Sequence, residues 1–307
     1  MTRTLILAVM TTFALGQDAR TPEATSLLGT PLFAPAQSEE TRAKNEANLA
    51  AAKAALAKNP GSADAAIWVG RRTAYLGRFR DAIAVYTDAM SRHPSDARLY
   101  RHRGHRYISV REFDKAIADL SKAAALVAGR ADDGEPDGQP NARNTPTGTL
   151  KTNIYYHLGL AHYLKGEFAL AADAYRLCME HSKNADMQVA TAHWQYMAAR
   201  RAGRPGDAKQ VLEPITATMD VFENGSYHKL LMMYKNERQA DTLAASLKAG
   251  SLDAATIGYG IANWHMYNDR RGRSEHMLRA IVDENPTQWA SFGYIAAEAD
   301  LARMRRD

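Results

Sequence analysis

Residues 63–96 (ADAAIWVGRRTAYLGRFRDAIAVYTDAMSRHPSD) and 97–130 (ARLYRHRGHRYISVREFDKAIADLSKAAALVAGR) form two consecutive 34-residue blocks in which the same residue types recur at the same offsets. Glycine stands at position 8 (Gly70, Gly104) and an aromatic at 17 (Phe79, Phe113). Alanine fills 20 (Ala82, Ala116) and 27 (Ala89, Ala123), and isoleucine fills 21 (Ile83, Ile117). The first block adds Gly77 at 15, Tyr86 at 24 and Pro94 at 32, and the second adds Tyr100 at 4 and Tyr107 at 11. Leu120, Ala123, Ala124 and Val127 recur at helical spacing and predict one apolar helix face.

This period and pattern resemble the tetratricopeptide repeat, a two-helix unit. The resemblance implies an all-α fold, a right-handed α-solenoid of stacked helix-turn-helix units. Small residues at 8, 20 and 27 then mark close helix crossings, and the aromatics fill the space around them. A single helix pair cannot bury such a stripe on both sides, so further units are required.

The rest of the chain supplies them. Register returns in 152–185, where Tyr155, Gly159, Gly166, Phe168, Ala171, Tyr175 and Cys178 take positions 4, 8, 15, 17, 20, 24 and 27. Weaker units follow at 189–222, with Gly203, Ala208 and Leu212; at 226–250, with Ala240 and Leu247; and at 255–288, with Ala262, Leu278 and Ile281. Pro214 falls inside an expected second helix and should shorten or kink it. Residues 39–58 read as a leading half-unit, and 289–305 as a capping helix with Phe292, Ile295, Ala296 and Ala299 inward. The solenoid thus spans 39–305, interrupted at 129–149 (GRADDGEPDGQPNARNTPTGT), an inserted acidic loop with four Gly, three Pro and four acids. Asp133, Glu135, Asp137 and Gly138 imitate the start of a calcium loop, but Pro140 and Asn144 depart from that motif, so a solvated loop is expected.

The N-terminus carries Arg3, an eleven-residue apolar run (LILAVMTTFAL, 5–15) and Ala14-Leu15-Gly16. This reads as a signal peptide over 1–16, too short for a bilayer-spanning helix, against the alternative of a packed or disordered helix. The expected location is periplasmic or secreted. Residues 17–38, rich in Thr, Pro, Ser and Ala, are expected to be a flexible leader. The chain holds one cysteine, Cys178, so no internal disulfide is possible, and the thiol is read as a packing residue.

The 307 residues carry a net charge of +5, mildly basic rather than densely cationic. Arg98 to Arg106 (RLYRHRGHR) is the densest basic run, but its charges point around the helix and Arg103 sits at a normally apolar position, so no nucleic-acid partner is expected. His102 with His105, and Cys178 with His181, lack further ligands at usable spacing, so no metal and no cofactor are expected. No catalytic motif is present, and the chain is expected not to be an enzyme; a hydrolase on a helical-repeat scaffold is the lesser alternative.

In the repeat family, ligand contacts come from the first helix of each unit, at positions 2, 5, 9, 12 and 13. Carried onto this chain, these positions give Arg71 and Tyr75; Arg98, Arg101 and His105; Asn153, Tyr156 and Tyr163; His193 and Arg200; and Tyr259, Asn263 and Tyr267. The resemblance therefore implies a protein-interaction scaffold whose concave groove binds a peptide or protein segment. An acidic side chain or free C-terminus would lie near Arg71, Arg101 and His105, because guanidinium groups suit carboxylates. The competing structural reading is self-association to a homo-oligomer through the end of the stack, which requires an apolar outer face on the last helix.

Overall fold

The computed structural model describes residues 21–236 and 239–306. The expected signal and the first four residues of the leader lie outside the described residues. A short hairpin, β1 (Ala24–Thr25) with β2 (Pro31–Leu32), precedes the helices. Helix α1 (Glu39–Lys58) packs on α2, burying Asn45 and Leu49 and leaving its other faces in solvent. Helix pairs then follow in chain order: α2 (Ala63–Tyr75) with α3 (Phe79–Arg92), α4 (Ala97–Ser109) with α5 (Phe113–Val127), and α6 (Leu150–Lys165) with α7 (Phe168–His181). Next come α8 (Ala185–Arg201) with α9 (Pro205–Leu212), α10 (Gly225–Lys235) with α11 (Ala240–Ala245), α12 (Leu252–Met266) with α13 (Arg271–Glu284), and finally α14 (Phe292–Met304). The fold is an all-α solenoid of stacked, tetratricopeptide-like pairs. Among the described residues, no helix is long and apolar enough to cross a membrane.

Side-chain physics explains why the pairs fall on the sequence blocks. The first helices α2, α4, α6, α8 and α12 begin at a side-chain cap, such as Ser62 accepting from Ala65 N, or the capping box at Thr149 and Thr152. The position-8 glycines lie against the side chain at position 24 of their own unit. A Cβ on Gly70 would come within 2.3 Å of Tyr86, on Gly104 within 2.7 Å of Leu120, and on Gly159 within 2.9 Å of Tyr175. Only glycine lets those helices cross at that distance. Helix α9 ends at Leu212, two residues before Pro214, as the proline requires.

The C-terminal helix departs from the expected cap. Helix α14 packs against α12, α13 and α6, and is buried on every side, with Ile295, Ala296, Ala299 and Leu301 among apolar neighbours. Its C-terminal end carries the exposed Arg305 and Arg306. Its two acids, Glu298 and Asp300, are also buried and are paired with arginines from distant units. Arg111 grips Glu298 with two parallel donors, Nε to Oε2 at 3.0 Å and Nη2 to Oε1 at 2.9 Å, and its Nη groups also donate to the Ser109 and Trp289 carbonyls.

Arg111 stands at position 15, the turn between the helices of a unit. Gly77, Gly166 and Gly203 occupy that turn elsewhere with φ of 76°, 88° and 72°, whereas Arg111 holds φ 65° with a full side chain. The left-handed backbone costs an L-residue about 1 kcal/mol, and the ion pair on Glu298 offsets it.

Residues 21–38 are not the flexible leader that their composition implies. The Glu23 amide donates to Leu32 O, and Ala24 and Leu32 are buried. Leu27 N donates to Glu298 Oε2, the Trp289 indole donates to Phe33 O at 2.8 Å, and Gln37 Nε2 donates to Tyr75 O at 2.6 Å. Trp289 also meets the Phe79 ring edge-on at 5.5 Å. The N-terminal segment therefore bridges the first unit and the last helix. Composition missed this because the ties to the first unit and the last helix span large sequence distances.

Truncating Arg111 tests the closure. We expect Arg111→Gly to lower stability by about 3–5 kcal/mol, since the lost cation leaves a buried carboxylate unpaired and outweighs the relieved turn. Adding Glu298→Met to that variant should recover a large part of the loss. Denaturant unfolding followed by circular dichroism measures both, and a neutral single variant would refute the closure.

Candidate interaction site on the inner face

The first helices α2, α4, α6, α8 and α12 carry the residues expected to line a groove. The structure divides them into two sets. The later set is closed off by the chain itself. Tyr163, Tyr259 and Asn263 are fully buried: the Tyr259 hydroxyl lies 2.8 Å from that of Tyr163 and 2.9 Å from Asp300 Oδ2. Arg201 donates to Asn263 Oδ1 at 2.9 Å and to Asp300 Oδ1 at 3.0 Å, and Arg303 donates to Asp300 Oδ1 at 2.6 Å. Burial would raise the Asp300 carboxyl, but Arg201 and Arg303 outweigh it and hold it below the usual range.

His193 is likewise buried, stacked on Tyr227 at 4.5 Å and on Tyr234 at 5.9 Å, and burial pushes it down to about 3. Tyr156 is buried between Tyr175 and Phe292 of α14. These residues are corrections to the expected open groove: they are inner-face residues that α14 and its neighbours cover. Arg200 lies over the Tyr267 ring at 4.4 Å, donating to the Tyr267 carbonyl.

The earlier set converges on one place. Arg71 lies over the Trp68 ring at 4.5 Å. Arg101, buried on α4, reaches Glu135 Oε2 with Nε at 3.0 Å and donates from Nη1 to His102 Nδ1 at 3.0 Å. His102 Nε2 lies 3.5 Å from Glu135 Oε1. This arrangement fits the neutral tautomer with its proton on Nε2: Nδ1 accepts from the guanidinium and Nε2–H faces the carboxylate. Asn153 Nδ2 completes the cradle at 3.2 Å from Glu135 Oε2. Tyr75 packs against Gly138, where an added Cβ would lie 1.7 Å from the Tyr75 hydroxyl, so the chain passes there only as glycine. Arg72 donates to the Gly138 carbonyl at 2.8 Å.

The 129–149 segment is therefore not the freely solvated loop expected from its composition. Its residues 134–138 lie across Arg71, Tyr75, Arg101 and Asn153. A cavity of about 470 Å³ remains beside them, lined by Trp68, Arg71, Arg98, His102 and Glu135.

The remaining basic residues sort by partner. Arg98 pairs with Asp96 at 2.6 Å and with Asp64 at the unit edge, half-exposed. Arg103, at its normally apolar position, forks onto Asp119 of α5 at 2.7 and 2.8 Å, which ties α4 to its partner helix. Arg106 is different. It lies over the Phe79 ring at 5.3 Å, and among the described residues no carboxylate pairs with it. Burial, with Arg101 and Arg71 adding repulsion, pushes it down to about 10.

Glu135, Arg111, Arg201 and the α14 acids were absent from the sequence-based site. The one signal that could have found Arg111 is the broken glycine at position 15. Cys178 is buried with Sγ 3.2 Å from the Thr191 hydroxyl, and burial pushes its thiol up to about 12.

Three histidines lie around this centre. His105 and His157 rings lie 4.2 Å apart, His105 meets Phe292 at 5.6 Å, and the His157 Nδ1–H donates to Asn153 O at 2.6 Å. Burial first, and then neighbouring arginines, hold His102, His105 and His157 well below 6.5. The unfolded chain therefore binds more protons than the folded one below pH 6.5, so stability falls as the pH drops through that value. The expected result is a falling Tm between pH 6.5 and 5, before most carboxylates titrate, and a flatter profile for His105→Gln/His157→Gln; calorimetry across that window checks it.

No family model and no curated protein matches the chain. Among solved structures, it is similar to the MamA protein, with 19% identity over 68% of this chain and 91% of that one, at a TM-score of 0.42. It is similar to YrrB, described as a TPR protein with an unusual peptide-binding site, with 16% identity over 82% and 98% and a TM-score of 0.43. It is also similar to a tetratricopeptide repeat protein from Parabacteroides merdae, with 13% identity over 83% and 98% and a TM-score of 0.46.

Proposed function

We propose that the chain is a non-catalytic protein-interaction scaffold whose inner face, on α2 and α4, holds an acidic peptide or protein segment. One observation carries the reading. Arg71, Arg101 and Arg106 come together from two helices while Glu135 supplies the paired carboxylate, so positive charge is gathered in excess of the anion that answers it. Gathering like charges in a dry place costs stability, and such costs are kept where a ligand repays them. The buried acids favour binding over catalysis as well: Glu298 and Asp300 are each held by arginines, and the His105 and His157 rings pack against each other at 4.2 Å.

An acidic peptide library displayed against the full chain tests the site. Recovered sequences should be enriched in Asp and Glu. Their affinity should fall about ten- to a hundredfold in Arg71→Ala/Arg101→Ala, the loss expected for one or two charge-assisted hydrogen bonds. Unchanged recovery by the double variant would remove the reading.

We further propose that the protein is exported and works in the cell envelope, on the strength of the apolar run at 5–15 and the small residues that close it. N-terminal sequencing of the protein from its native source should then begin at Gln17; a mature chain that keeps Met1 to Gly16 would refute export by this route.

A further inference from the structure

Two acid-bearing segments of this chain occupy its own inner face, and they are held there by different physics. Helix α14 is buried all round, with apolar side chains packed beside its acids. The loop at 129–149 buries no apolar side chain: Ala131, Pro136, Pro140, Ala142 and Pro146 are all exposed. What holds it is polar. Glu135 sits on Arg101, the Gly138 carbonyl sits on Arg72, and Asn141 and Thr147 donate to Glu223 at 2.6 and 2.7 Å. Arg143 pairs with Asp220 at 2.6 Å in the open.

The exposed Arg143–Asp220 pair contributes about 0–1 kcal/mol, whereas the buried Glu135–Arg101 pair is the loop's one strong anchor. Segments without buried apolar contacts open at a small fraction of the global unfolding energy. The loop, unlike α14, has no apolar packing to lose on leaving its place, and its hold on the inner face comes down to the Glu135–Arg101 pair and its neighbours.

We propose that this loop is an internal occupant of the acid-binding site, and that the site takes an extended, acidic, glycine- or proline-rich segment that displaces it. The inference rests on the scaffold reading above and states the chemistry of the partner. The loop shows what fits: a glutamate between Arg101, His102 and Asn153, and a small residue two or three positions later that lets a backbone carbonyl reach Arg72 past the Tyr75 hydroxyl. Arg71 and Arg106 remain for a second acid that the loop does not bring within ion-pair distance. Its Asp137 lies near Arg71, but Oδ2 is buried without a hydrogen-bond partner. A displacing partner with two well-spaced acids would thus gain a contact that the loop forgoes. The tether in turn raises the loop's local concentration, so weak acidic segments are excluded.

The experiment uses the full chain and a fluorescein-labelled peptide of the loop's own sequence, residues 131–140, with an E135Q peptide as control. Replacing Glu135 in the protein by Gln should weaken the internal occupant. The native peptide should then bind Glu135→Gln at least tenfold tighter than it binds wild type. The control peptide should not bind, and Arg101→Ala added to Glu135→Gln should abolish binding. A natively folded Glu135→Gln that binds both peptides alike, or neither, overturns the inference.

Hydrogen exchange on the wild-type chain covers the case in which the variant does not fold. The Glu135 and Leu150 amides, which bond Gly148 and Asp133, should exchange at least a hundredfold faster than interior amides of α5 and α6. Exchange at the same rate as those helices overturns the inference. Peptide binding that depends on Glu135 and Arg101 supports it whether or not the library experiment finds a partner, and the absence of such binding sinks it even if that experiment succeeds.

Discussion

Carboxylates withdrawn from water must meet cations, and the pairs that Arg111 and Arg201 make with Glu298 and Asp300 decide where the last helix lies. An open stack of helix pairs would leave α14 at one end. Instead its acids reach the turn after α4 and the end of α8, so the chain's two ends meet. Trp289 and the segment at 21–38 complete that meeting through Phe79, Phe33 and Leu27. The apolar packing supplies most of the free energy, but it is not directional. The charged pairs supply the register, because a misplaced helix would strand two buried carboxylates.

This closure changes what the repeat architecture offers a partner. In the later units the inner face is a filled interior of tyrosines, an amide and stacked histidine rings. The part built by α2 and α4 gathers Arg71, Arg101 and Arg106 around the carboxylate of Glu135. There the covering element is a polar loop. The same face thus holds one segment by apolar packing and another by polar contacts. In the proposed site, Arg101 and Arg71 would supply the acid-binding capacity and residues 134–138 would govern access.

How much of this was legible depends on the range of the interaction. Gly70 against Tyr86, Gly104 against Leu120 and Gly159 against Tyr175 are contacts within a single unit, so their residue types recur at fixed offsets and can be read. Pro214 ended α9 through its own ring and missing donor. Arg71, Arg101 and His105 were assigned to one face by the repeat positions; Arg71 lies on Trp68 and Arg101 on Glu135, while His105 packs on His157 and Phe292. The filling of that face was not legible. Glu135 answers Arg101 from a loop whose composition resembles disorder, and the segment at 21–38 is ordered by partners far along the chain.

The sequence by itself determined the units, their helical period, the small residues at their crossings and the face on which the arginines stand, because each of these is a local regularity repeated along the chain. Tertiary structure alone decided what covers that face. Arg111 and Glu298 are 187 residues apart, and no periodic pattern relates a cation in one unit's turn to an acid on the final helix. Their pairing arises only when the stack curves far enough for both to lose water together.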